Sequence, residues 1–330
     1  MQYKAIKLVK RPELQITPDS FEVVLMQVPA LQAGEILLKQ THMSLDPAMR
    51  GWMSADRHSY IPPVELGEIM RSSGAAEVID SKNDKFPVGT KLTGMFGWTE
   101  YLVSNGKGMQ VVPNDIDVEA ALCVLGLPGL TAYHGFNELA SPLLGETIVI
   151  SGAAGSVGSM VGQLAKNEGL HVVGVAGSGE KCRWLVDELG FDAALNYKDP
   201  NLKNAFATSI PNGIDIYFEN TGGPIQQFAY DRMNANGRII VCGMIADYNA
   251  SALSPGPNWM NMIRKRLTIK GYAMPDHWRR FPEISDQLAT YLRDGKLQYR
   301  AHVIHGLESA IDGINLLFTG NNNGKLLVQL

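Results

Sequence analysis

The sequence predicts an α/β protein in which a doubly wound parallel-sheet domain is inserted into a β-rich domain. Residues 1 to about 120 hold short β-like runs separated by Pro and Gly, with no strong helical period. From about Leu127, strand and helix patterns alternate, as in a parallel sheet covered by helices. After residue 297 strand patterns return. We therefore predict one domain from residues 1–125 plus 298–330 and a second from 126–297, with an active-site cleft between them.

Composition excludes several classes of protein. The chain has 330 residues, 45% of them hydrophobic and 19% charged, which is typical of a globular protein of about two domains. The net charge of −4 gives no indication of a nucleic-acid or anionic-membrane surface. Cys123, Cys182 and Cys242 are far apart and form no CxxC motif, so a disulfide framework or a structural zinc site is not expected.

Neither a signal peptide nor a membrane span is predicted. Residues 1–14 lack the apolar core of a signal peptide. The most apolar long stretch, 120–133, is broken by Gly126, Pro128 and Gly129 and is too short to span a bilayer. We expect a cytoplasmic protein with no membrane partner.

The first domain reads as a series of short strands joined by turns. Six runs have strand-like composition: 3–8, 21–27, 35–41, 75–79, 91–95 and 100–103. A long irregular stretch, 45–64, follows the third run. A loop of that length inside a compact domain is usually functional or mobile, so we expect it to take part in the site. Near the C-terminus, strands at 300–304 and 325–329 flank a predicted helix at 308–318.

The stretch 146–169 reads as a strand, a Gly-rich turn and a helix. The turn, Gly-Ala-Ala-Gly-Ser-Val-Gly from residue 152 to 158, lets a ligand approach the backbone closely. Free N–H groups and the dipole at the helix start favour a phosphate, so we predict a pyrophosphate site. As a GxGxxG motif the match is imperfect, because Ala153 replaces the first glycine. A turn of this kind also occurs for packing alone.

The remainder of the second domain supports the phosphate interpretation. Strands are predicted at 147–151, 171–175, 193–196, 215–218, 238–242 and 267–272, and helices at 157–168, 180–189, 202–209, 225–233 and 280–294. Four of the strands end in Gly-rich tails that contain Gly152, Gly177, Gly222 with Gly223, and Gly243. Because ligands bind at the carboxyl ends of parallel strands, these tails predict a dinucleotide site.

The residues after the second strand of this domain indicate which dinucleotide binds. An NAD-selective fold usually places Asp or Glu there, whereas this strand ends in Ala176-Gly177-Ser178. Gly177 and Ser178 leave room for a 2′-phosphate, and Lys181 and Arg183 supply positive charge, so we predict NADPH. The alternative remains that Ser178 is only an N-cap and that both basic residues are solvated on the helix.

Several strings together resemble one family. They are LDPAMRG (45–51), SYIPPVELGEIM (59–70), LGLPGLTAYHG (125–135), GAAGSVG (152–158), AGSGEKC (176–182), ENTGG (219–223), CGMIADYN (242–249) and NNNGK (321–325). The chain resembles zinc-independent medium-chain dehydrogenase/reductases, in particular the group of prostaglandin reductase, alkenal double-bond reductase and curcumin reductase. The resemblance runs nearly from end to end.

The resemblance implies a GroES-like substrate domain with an inserted Rossmann domain. It also implies NADPH-dependent reduction of the C=C bond of α,β-unsaturated ketones and aldehydes, and a homodimer, which could form at the sheet edge after Tyr272. The zinc branch of the superfamily carries a Gly-His-Glu string, whereas this chain has Leu66-Gly67-Glu68 and no Cys before residue 123. A metal site is therefore not expected.

Conjugate reduction delivers hydride to the β-carbon and leaves an enolate that needs a hydrogen-bond donor. The resemblance points to Tyr248 for this role, together with the cofactor ribose hydroxyl. Tyr60, on the loop expected to cover the substrate, is the second catalytic candidate. For either residue the alternative is an ordinary packing tyrosine. Substrate contacts are expected from Met49, Arg50, Tyr60 and Tyr248, although Arg50 could instead form a structural ion pair with Asp46 or a neighbour.

The resemblance also assigns the cofactor contacts. Residues expected at the pyrophosphate are Gly155, Ser156, Val157 and Gly158, and those at the 2′-phosphate are Gly177, Ser178, Lys181 and Tyr197. Residues expected near the ribose or nicotinamide are Asn220, Cys242, Gly243, Met244, Ile245, Tyr248, Tyr272, Ala273, Met274 and Asn322. One departure is Ala48, where the family often has a tyrosine, so the substrate range could differ.

Two other functions stay open at this point. A quinone oxidoreductase would have the same fold and cofactor but a bulky planar acceptor. A non-catalytic protein that binds NADPH as a structural or sensing ligand would need neither Tyr248 nor the covering loop.

Overall fold

The computed structural model describes the whole chain, residues 1–330, and it divides into two compact units. The first unit comprises Met1–Leu122 and Ala301–Leu330, and the second comprises Cys123–Arg300. The second unit is thus a single segment inserted between the two parts of the first. Nowhere in the chain is there a helix with the length and apolar character that a bilayer crossing requires.

The elements are numbered along the chain. The strands are β1 (Gln2–Leu8), β2 (Phe21–Gln27), β3 (Ile36–Ser44), β4 (Ser73–Ser81), β5 (Lys91–Met95), β6 (Tyr101–Ser104), β7 (Gln110–Val111), β8 (Thr147–Ile150), β9 (His171–Ala176), β10 (Ala193–Asn196), β11 (Ile214–Glu219), β12 (Met233–Val241), β13 (Thr268–Gly271), β14 (Ala301–His305) and β15 (Lys325–Gln329).

The α-helices are α1 (Met49–Trp52), α2 (Val118–Ala120), α3 (Leu127–Tyr133), α4 (Ser156–Asn167), α5 (Gly179–Asp187), α6 (Leu202–Ser209), α7 (Gly223–Arg232), α8 (Trp259–Lys265), α9 (Phe281–Arg293), α10 (Ser309–Gly313) and α11 (Asn315–Thr319). Segments of 3-10 helix are Pro18–Ser20 and Met274–Arg280, and segments of π-helix are Ala121–Leu125 and His134–Ala140.

The first unit is built on a seven-stranded sheet in the order β14-β15-β3-β4-β5-β7, with β6 also paired to β3. Its pairs are antiparallel except for β14 with β15. A separate antiparallel pair, β1 with β2, is joined to the rest by bridges from Ala5 to Thr99 and from Lys7 to Ile69. This is the predicted β-rich architecture. The short connections between its strands carry the Gly and Pro residues that marked turns in the sequence.

The main core of the first unit lies around two stacked aromatic rings. Phe21 and Trp98 stack with ring centroids 5.0 Å apart, and both are buried. Side chains from β1, β3, α1 and β15 complete this core. The predicted helix at 308–318 is present as α10 and α11, which are separated at Ile314.

The second unit holds a six-stranded sheet in the order β10-β9-β8-β11-β12-β13, with every pair parallel. Strand order reverses between β8 and β11, so the first three strands extend to one side and the last three to the other. The predicted doubly wound sheet is confirmed. β8 is fully buried, in keeping with its unbroken apolar run. The carboxyl ends of β8 and β11 mark the point where such sheets bind their ligand.

The boundary between α7 and β12 differs from the prediction. We expected a helix over 225–233 and a strand from 238, but β12 begins at Met233, directly after the helix ends at Arg232. The turn-like residues Asn236 and Gly237 lie inside the strand, where Asn236 has φ +63°. The pairing with β11 shifts register between Ile214 and Ile216. A bulge therefore absorbs residues that would otherwise form a turn, and asparagine tolerates the left-handed conformation.

Candidate cofactor and substrate site

The Gly-rich turn after β8 has the conformation that brings a helix close to the sheet. Gly152 has φ +58°, in the left-handed region that favours glycine. A Cβ atom on Gly158 would lie 2.6 Å from the carbonyl oxygen of Gly152 and 2.8 Å from Cα of Ala153. Both neighbours are backbone atoms and cannot rotate away. Only glycine at 158 permits this approach of α4 to β8.

The start of α4 fits a phosphate group. Gly155 is its N-cap and makes no side-chain capping bond. In an α-helix the first backbone N–H groups have no partner inside the helix, and here they belong to Ser156, Val157 and Gly158. The twelve-residue helix adds the positive end of its dipole. The cradle therefore suits a pyrophosphate, with no side chain in competition for the amides.

Two lysine side chains, those of Lys181 and Lys198, lie near each other beyond the end of β9. Ser178 is the N-cap of α5 and accepts a hydrogen bond from the N–H of Lys181 at 3.2 Å, so the N-cap interpretation holds for this serine. Burial lowers the pKa of Lys181, and the nearby ammonium of Lys198 lowers it further. The Lys198 ammonium also lies 5.6 Å from the ring centroid of Tyr197.

Gly177 lies against Tyr197, since a Cβ atom at 177 would be 3.1 Å from the tyrosine ring. Two lysines, a tyrosine and a bare stretch of backbone thus lie together. A phosphate dianion would relieve the repulsion between the two ammonium groups.

The carboxyl ends of β8 and β11 are joined through Ser151, Glu219 and Asn220. Ser151 Oγ donates to Glu219 Oε1 at 2.6 Å and accepts from the backbone N–H of Asn220 at 2.8 Å. The side-chain amide of Asn220 donates to the carbonyl of Ser151 at 2.7 Å. Asn220, a predicted cofactor contact, is therefore held in place by two hydrogen bonds at the point where the strand order reverses.

The segment after β12 lies against the segment after β11. The N–H groups of Cys242 and Gly243 donate to the backbone oxygen of Glu219, at 2.8 and 3.1 Å. Further along, the hydroxyl oxygen of Tyr248 accepts a hydrogen bond from the N–H of Met244 at 3.3 Å. The loop from Cys242 to Tyr248 thus folds back on itself, and the phenol of Tyr248 lies over its start.

Cys242 is half-buried, and its thiol is held in the protonated form. Burial is the main cause that raises the pKa of its thiol to about 11, and the charge of Glu219 acts in the same direction. A thiol with a raised pKa holds little thiolate at neutral pH and is a poor nucleophile.

The residues after β13 present backbone rather than polar side chains. Tyr272 donates its phenolic hydrogen to the carbonyl of Thr131 at 2.8 Å, and burial raises the pKa of this phenol well above its usual value. Ala273 is extended, and the side chain of Met274 is buried. Tyr272 therefore directs its hydroxyl towards α3, and the backbone of this segment is the part suited to a polar contact.

In the first unit the predicted substrate residues differ in accessibility. Tyr60 is 57% exposed. Met49 is fully buried in the main core of the unit, which contradicts the prediction that it contacts substrate, because a side chain packed on all sides cannot reach a ligand. Arg50 is 8% exposed and donates to the carbonyl oxygens of Glu13 and Leu14, at 2.9 and 3.3 Å. These bonds give Arg50 a structural role.

Asn322 and Asp46 have local partners. The side-chain amide of Asn322 donates to the carbonyl of Gly324 at 2.8 Å, which shapes the turn before β15. Asp46, which the sequence offered as an ion-pair partner for Arg50, binds the ammonium of Lys325 at 2.7 Å.

The loop at 45–64 has a fixed base and an exposed tip. Trp52 and Val64 are buried and are joined by a backbone hydrogen bond of 2.8 Å. Arg11 donates to the carbonyl of Ser54, and Arg71 donates to the carbonyl of Pro62 at 2.9 Å. The residues between 54 and 62, including Tyr60, are mostly exposed. The ends of the loop are therefore held by the rest of the unit, and its tip is open to solvent.

Known proteins with similar sequences identify the family of this chain. Residues 4–112 match a family model described as the N-terminal domain of oxidoreductase, and residues 156–290 match one described as zinc-binding dehydrogenase. NADPH-dependent curcumin reductase of Escherichia coli is 35% identical over 98% of this chain and 95% of its own length. The NADP(+)-dependent 2-alkenal reductase of Nicotiana tabacum is 38% identical over 90% of this chain and 88% of its own length.

The chain belongs to the medium-chain dehydrogenase/reductase family. Among solved structures, CurA from Vibrio vulnificus in complex with NADPH superimposes with a TM-score of 0.92 at 37% identity, over 99% of this chain and 98% of that one. The family resemblance expected from the sequence is confirmed, as is the fold of a barrel-like domain with a parallel-sheet domain.

One of the two family models is described as zinc-binding dehydrogenase, which raises the question of a metal site in this medium-chain dehydrogenase/reductase. Across residues 1–330, no group of three or more His, Cys, Asp or Glu side chains could hold a metal ion.

Three contributors to the site were not predicted from the sequence. Glu219 is a fully buried carboxylate, Ser151 joins the two strand ends, and Lys198 lies beside Lys181. A charged residue directly after the apolar run 216–218 was a visible signal for Glu219. Lys198 directly follows the predicted Tyr197, whereas Ser151 carries no signal of its own.

Proposed function

We propose that this protein reduces the C=C bond of α,β-unsaturated aldehydes and ketones with NADPH. The observation that carries the proposal is its similarity, over nearly its whole length, to relatives named as NADPH-dependent curcumin reductase and 2-alkenal reductase. The similar structure of CurA was solved with NADPH. In the second unit, the carboxyl ends of the parallel strands would form the binding site for that cofactor.

The cofactor would be held in three places in the second unit. The amides of Ser156, Val157 and Gly158 suit the pyrophosphate. Lys181 and Lys198 suit the 2′-phosphate, which distinguishes NADPH from NADH. The residues after β11, β12 and β13 would lie along the ribose and nicotinamide.

In this proposal Tyr248 stabilises the negative charge that develops on the substrate oxygen. When bound, NADPH would supply hydride to the β-carbon, which would leave enolate charge on the carbonyl oxygen of the substrate. The phenol of Tyr248 donates a hydrogen bond to that oxygen, a role it would share with the cofactor ribose hydroxyl. Its location over the start of the loop after β12 supports this role, because that loop follows a strand end of the cofactor-binding sheet. A neutral donor is sufficient for this chemistry.

The first unit offers candidates for recognition of the substrate. Tyr60 stays a prediction, supported by its exposed position on a loop with a fixed base. The buried contacts of Arg50 leave it as support for that loop, through the carbonyls of Glu13 and Leu14.

A panel of acceptors tests the proposed function. Consumption of NADPH is followed by its absorbance with enals, enones and quinones at matched concentrations. Turnover of enals and enones, with little turnover of quinones, supports the proposal. Turnover confined to quinones supports a quinone oxidoreductase instead, and NADPH binding without turnover of any acceptor supports a non-catalytic binding protein.

We also propose that the protein forms a homodimer through the β13 edge of the parallel sheet. β13 pairs only with β12, so its outer edge offers unpaired backbone groups. Next to it in sequence, α8 buries none of its side chains, and Trp259 and Ile263 are 70% and 72% exposed. Apolar side chains this open are typical of an interface. Sedimentation equilibrium tests the proposal, with a double substitution of Trp259 and Ile263 by Ser expected to give monomers.

A further inference from the structure

A buried carboxylate lies where the strand order of the parallel sheet reverses. Glu219 is the last residue of β11, and its side chain has no exposed surface. Removal of an ionised carboxylate from water costs several kcal/mol unless its oxygen atoms find donors. A fully buried glutamate is therefore uncommon unless its carboxylate is paired or hydrogen-bonded.

All the donors that satisfy Glu219 are neutral. Five hydrogen bonds reach its two oxygen atoms, from Ser151 Oγ (2.6 Å), Tyr217 Oη (2.9 Å), Thr221 N (2.8 Å), Thr221 Oγ (3.3 Å) and Gly222 N (2.9 Å). Hydroxyls and amides disperse the negative charge of the carboxylate but leave it in place, whereas an arginine or lysine would neutralise it.

The charge acts on the groups around it. Besides burial, which is the larger cause, it raises the pKa values of Tyr217 and Tyr230. In a water-poor interior such a field is weakly screened, so it also extends to the surface of the sheet edge.

Glu219 also connects the strand ends at the place in the sheet where the dinucleotide would bind. Through Ser151 it connects β11 to β8, and Ser151 in turn holds Asn220. Its backbone oxygen accepts the N–H groups of Cys242 and Gly243, at the end of β12. Three strand ends therefore meet at Glu219, on the side of the sheet that forms the second mononucleotide half of such folds.

We propose that Glu219 is a fixed negative charge beneath the nicotinamide site that stabilises NADP⁺ relative to NADPH. This inference rests on the proposed function. NADP⁺ carries one more positive charge than NADPH, and that charge is on the nicotinamide ring. A buried anion near the ring lowers the free energy of the oxidised form more than that of the reduced form. Glu219 thereby favours the loss of hydride.

The dissociation constants of both cofactor forms test this directly, without turnover. They are measured for the full-length protein at pH 8, by NADPH fluorescence and by calorimetry with NADP⁺. Glu219→Gln is expected to raise the ratio of the NADP⁺ constant to the NADPH constant on the order of tenfold, for charges about 10 Å apart at an effective dielectric constant of about 20. A purely structural role would weaken both forms equally and leave the ratio unchanged, which overturns the inference.

Glu146→Gln is the matched control. Glu146 is a half-buried carboxylate just before β8, at the opposite end of the same sheet, where it pairs with Arg238. Its substitution is expected to leave the ratio unchanged. An equal change in this variant would show that the ratio does not report a local charge and would overturn the inference.

Tyr217→Phe keeps the test open if Glu219→Gln does not fold. The variant removes one neutral donor and leaves the charge in place but less dispersed, so the ratio should shift in the opposite direction, towards NADP⁺. No shift, or a shift towards NADPH, contradicts the inference. If wild-type protein binds neither NADPH nor NADP⁺, the proposed function and this inference are both overturned. If it binds both forms and the variants leave the ratio of the two dissociation constants unaltered, this inference alone is overturned.

Discussion

The ammonium nitrogen of Lys325 lies 2.7 Å from Oδ1 of Asp46 and 2.8 Å from the carbonyl oxygen of Leu45, and Lys325 is only 3% exposed. Ser44 Oγ donates to the other oxygen of the Asp46 carboxylate. This buried pair joins the start of β15 to the start of the loop at 45–64. It is therefore the anchor of the loop that carries Tyr60.

Removal of one member of this pair should destabilise the first unit. Lys325→Met leaves a buried carboxylate without its cation, and the expected loss in the free energy of unfolding is about 3 kcal/mol or more. Urea denaturation measures it. Lys4→Met is the control, because Lys4 and its partner Glu308 are each about half exposed, and it should leave the midpoint unchanged. Equal midpoints for Lys325→Met and wild type would contradict the structural role of the pair.

The preference for NADPH should depend on Lys181. Lys181→Ala is expected to lower the ratio of kcat/KM with NADPH to kcat/KM with NADH by about tenfold or more, since a charge-assisted bond contributes roughly 1.5–3 kcal/mol. Lys203→Ala, on α6 over the ring of Phe228, is the control and should keep the preference. An unchanged preference in the Lys181 variant would remove this lysine from the 2′-phosphate site.

Tyr248→Phe tests the proposed hydrogen-bond donor. Loss of the hydroxyl should lower kcat by about a hundredfold, because the donor acts on charge that develops during the reaction. The dissociation constant of NADPH should change little. Tyr133→Phe removes a hydroxyl that bonds to Gln287 and should behave as wild type. A variant at 248 with wild-type kcat would exclude this phenol from the chemistry.

His134 should make the second unit sensitive to acid. Its ring is buried against His277, with ring centroids 3.8 Å apart, and close to Tyr272. Burial lowers its pKa below the usual 6.5; Glu138 opposes this, and His277 and Arg280 act in the same direction as burial. Glu138 Oε2 lies 2.8 Å from His134 Nδ1, but burial is the larger influence and the pKa of His134 stays lowered.

Protonation of His134 should favour the unfolded chain at acid pH. The pKa of His134 is lower in the folded chain than in the unfolded chain. Below pH 6.5 the unfolded chain therefore binds a proton at this residue more readily than the folded chain does. The free energy of unfolding falls as the pH decreases through this window. His134→Phe should lose less stability between pH 7 and pH 5 than wild type, measured by urea denaturation at each pH. His305→Gln, at an exposed position, should follow wild type. A His134→Phe profile parallel to that of wild type would show that this histidine does not set the acid sensitivity.

Much of the fold could be predicted because it depends on local patterns. The strands β5, β10 and β15 have the predicted bounds, as does α6. Their apolar periodicity and flanking turn residues are sequence signals that tertiary packing reinforces. Several short helices were not predicted, among them α8, whose seven residues are too few to show a helical period.

The site was less predictable, because burial of polar groups depends on residues distant in sequence. Glu219 ends a strand that lies between β8 and β12, and the donors that make its burial tolerable include Ser151, which is 68 residues away. Met49 looked like a loop residue but lies in the core of the first unit, since α1 turns its side chain inward. Gly158, in contrast, was predictable, because the Gly-rich turn is itself the local constraint.

The position of the transferred hydride tests the central claim most directly. The protein is incubated with an enone and NADPH that carries deuterium at the transferred position, and the product is analysed by NMR. A C=C reductase gives the saturated ketone with deuterium on the β-carbon. An allylic alcohol with deuterium on the carbinol carbon would contradict the proposed function.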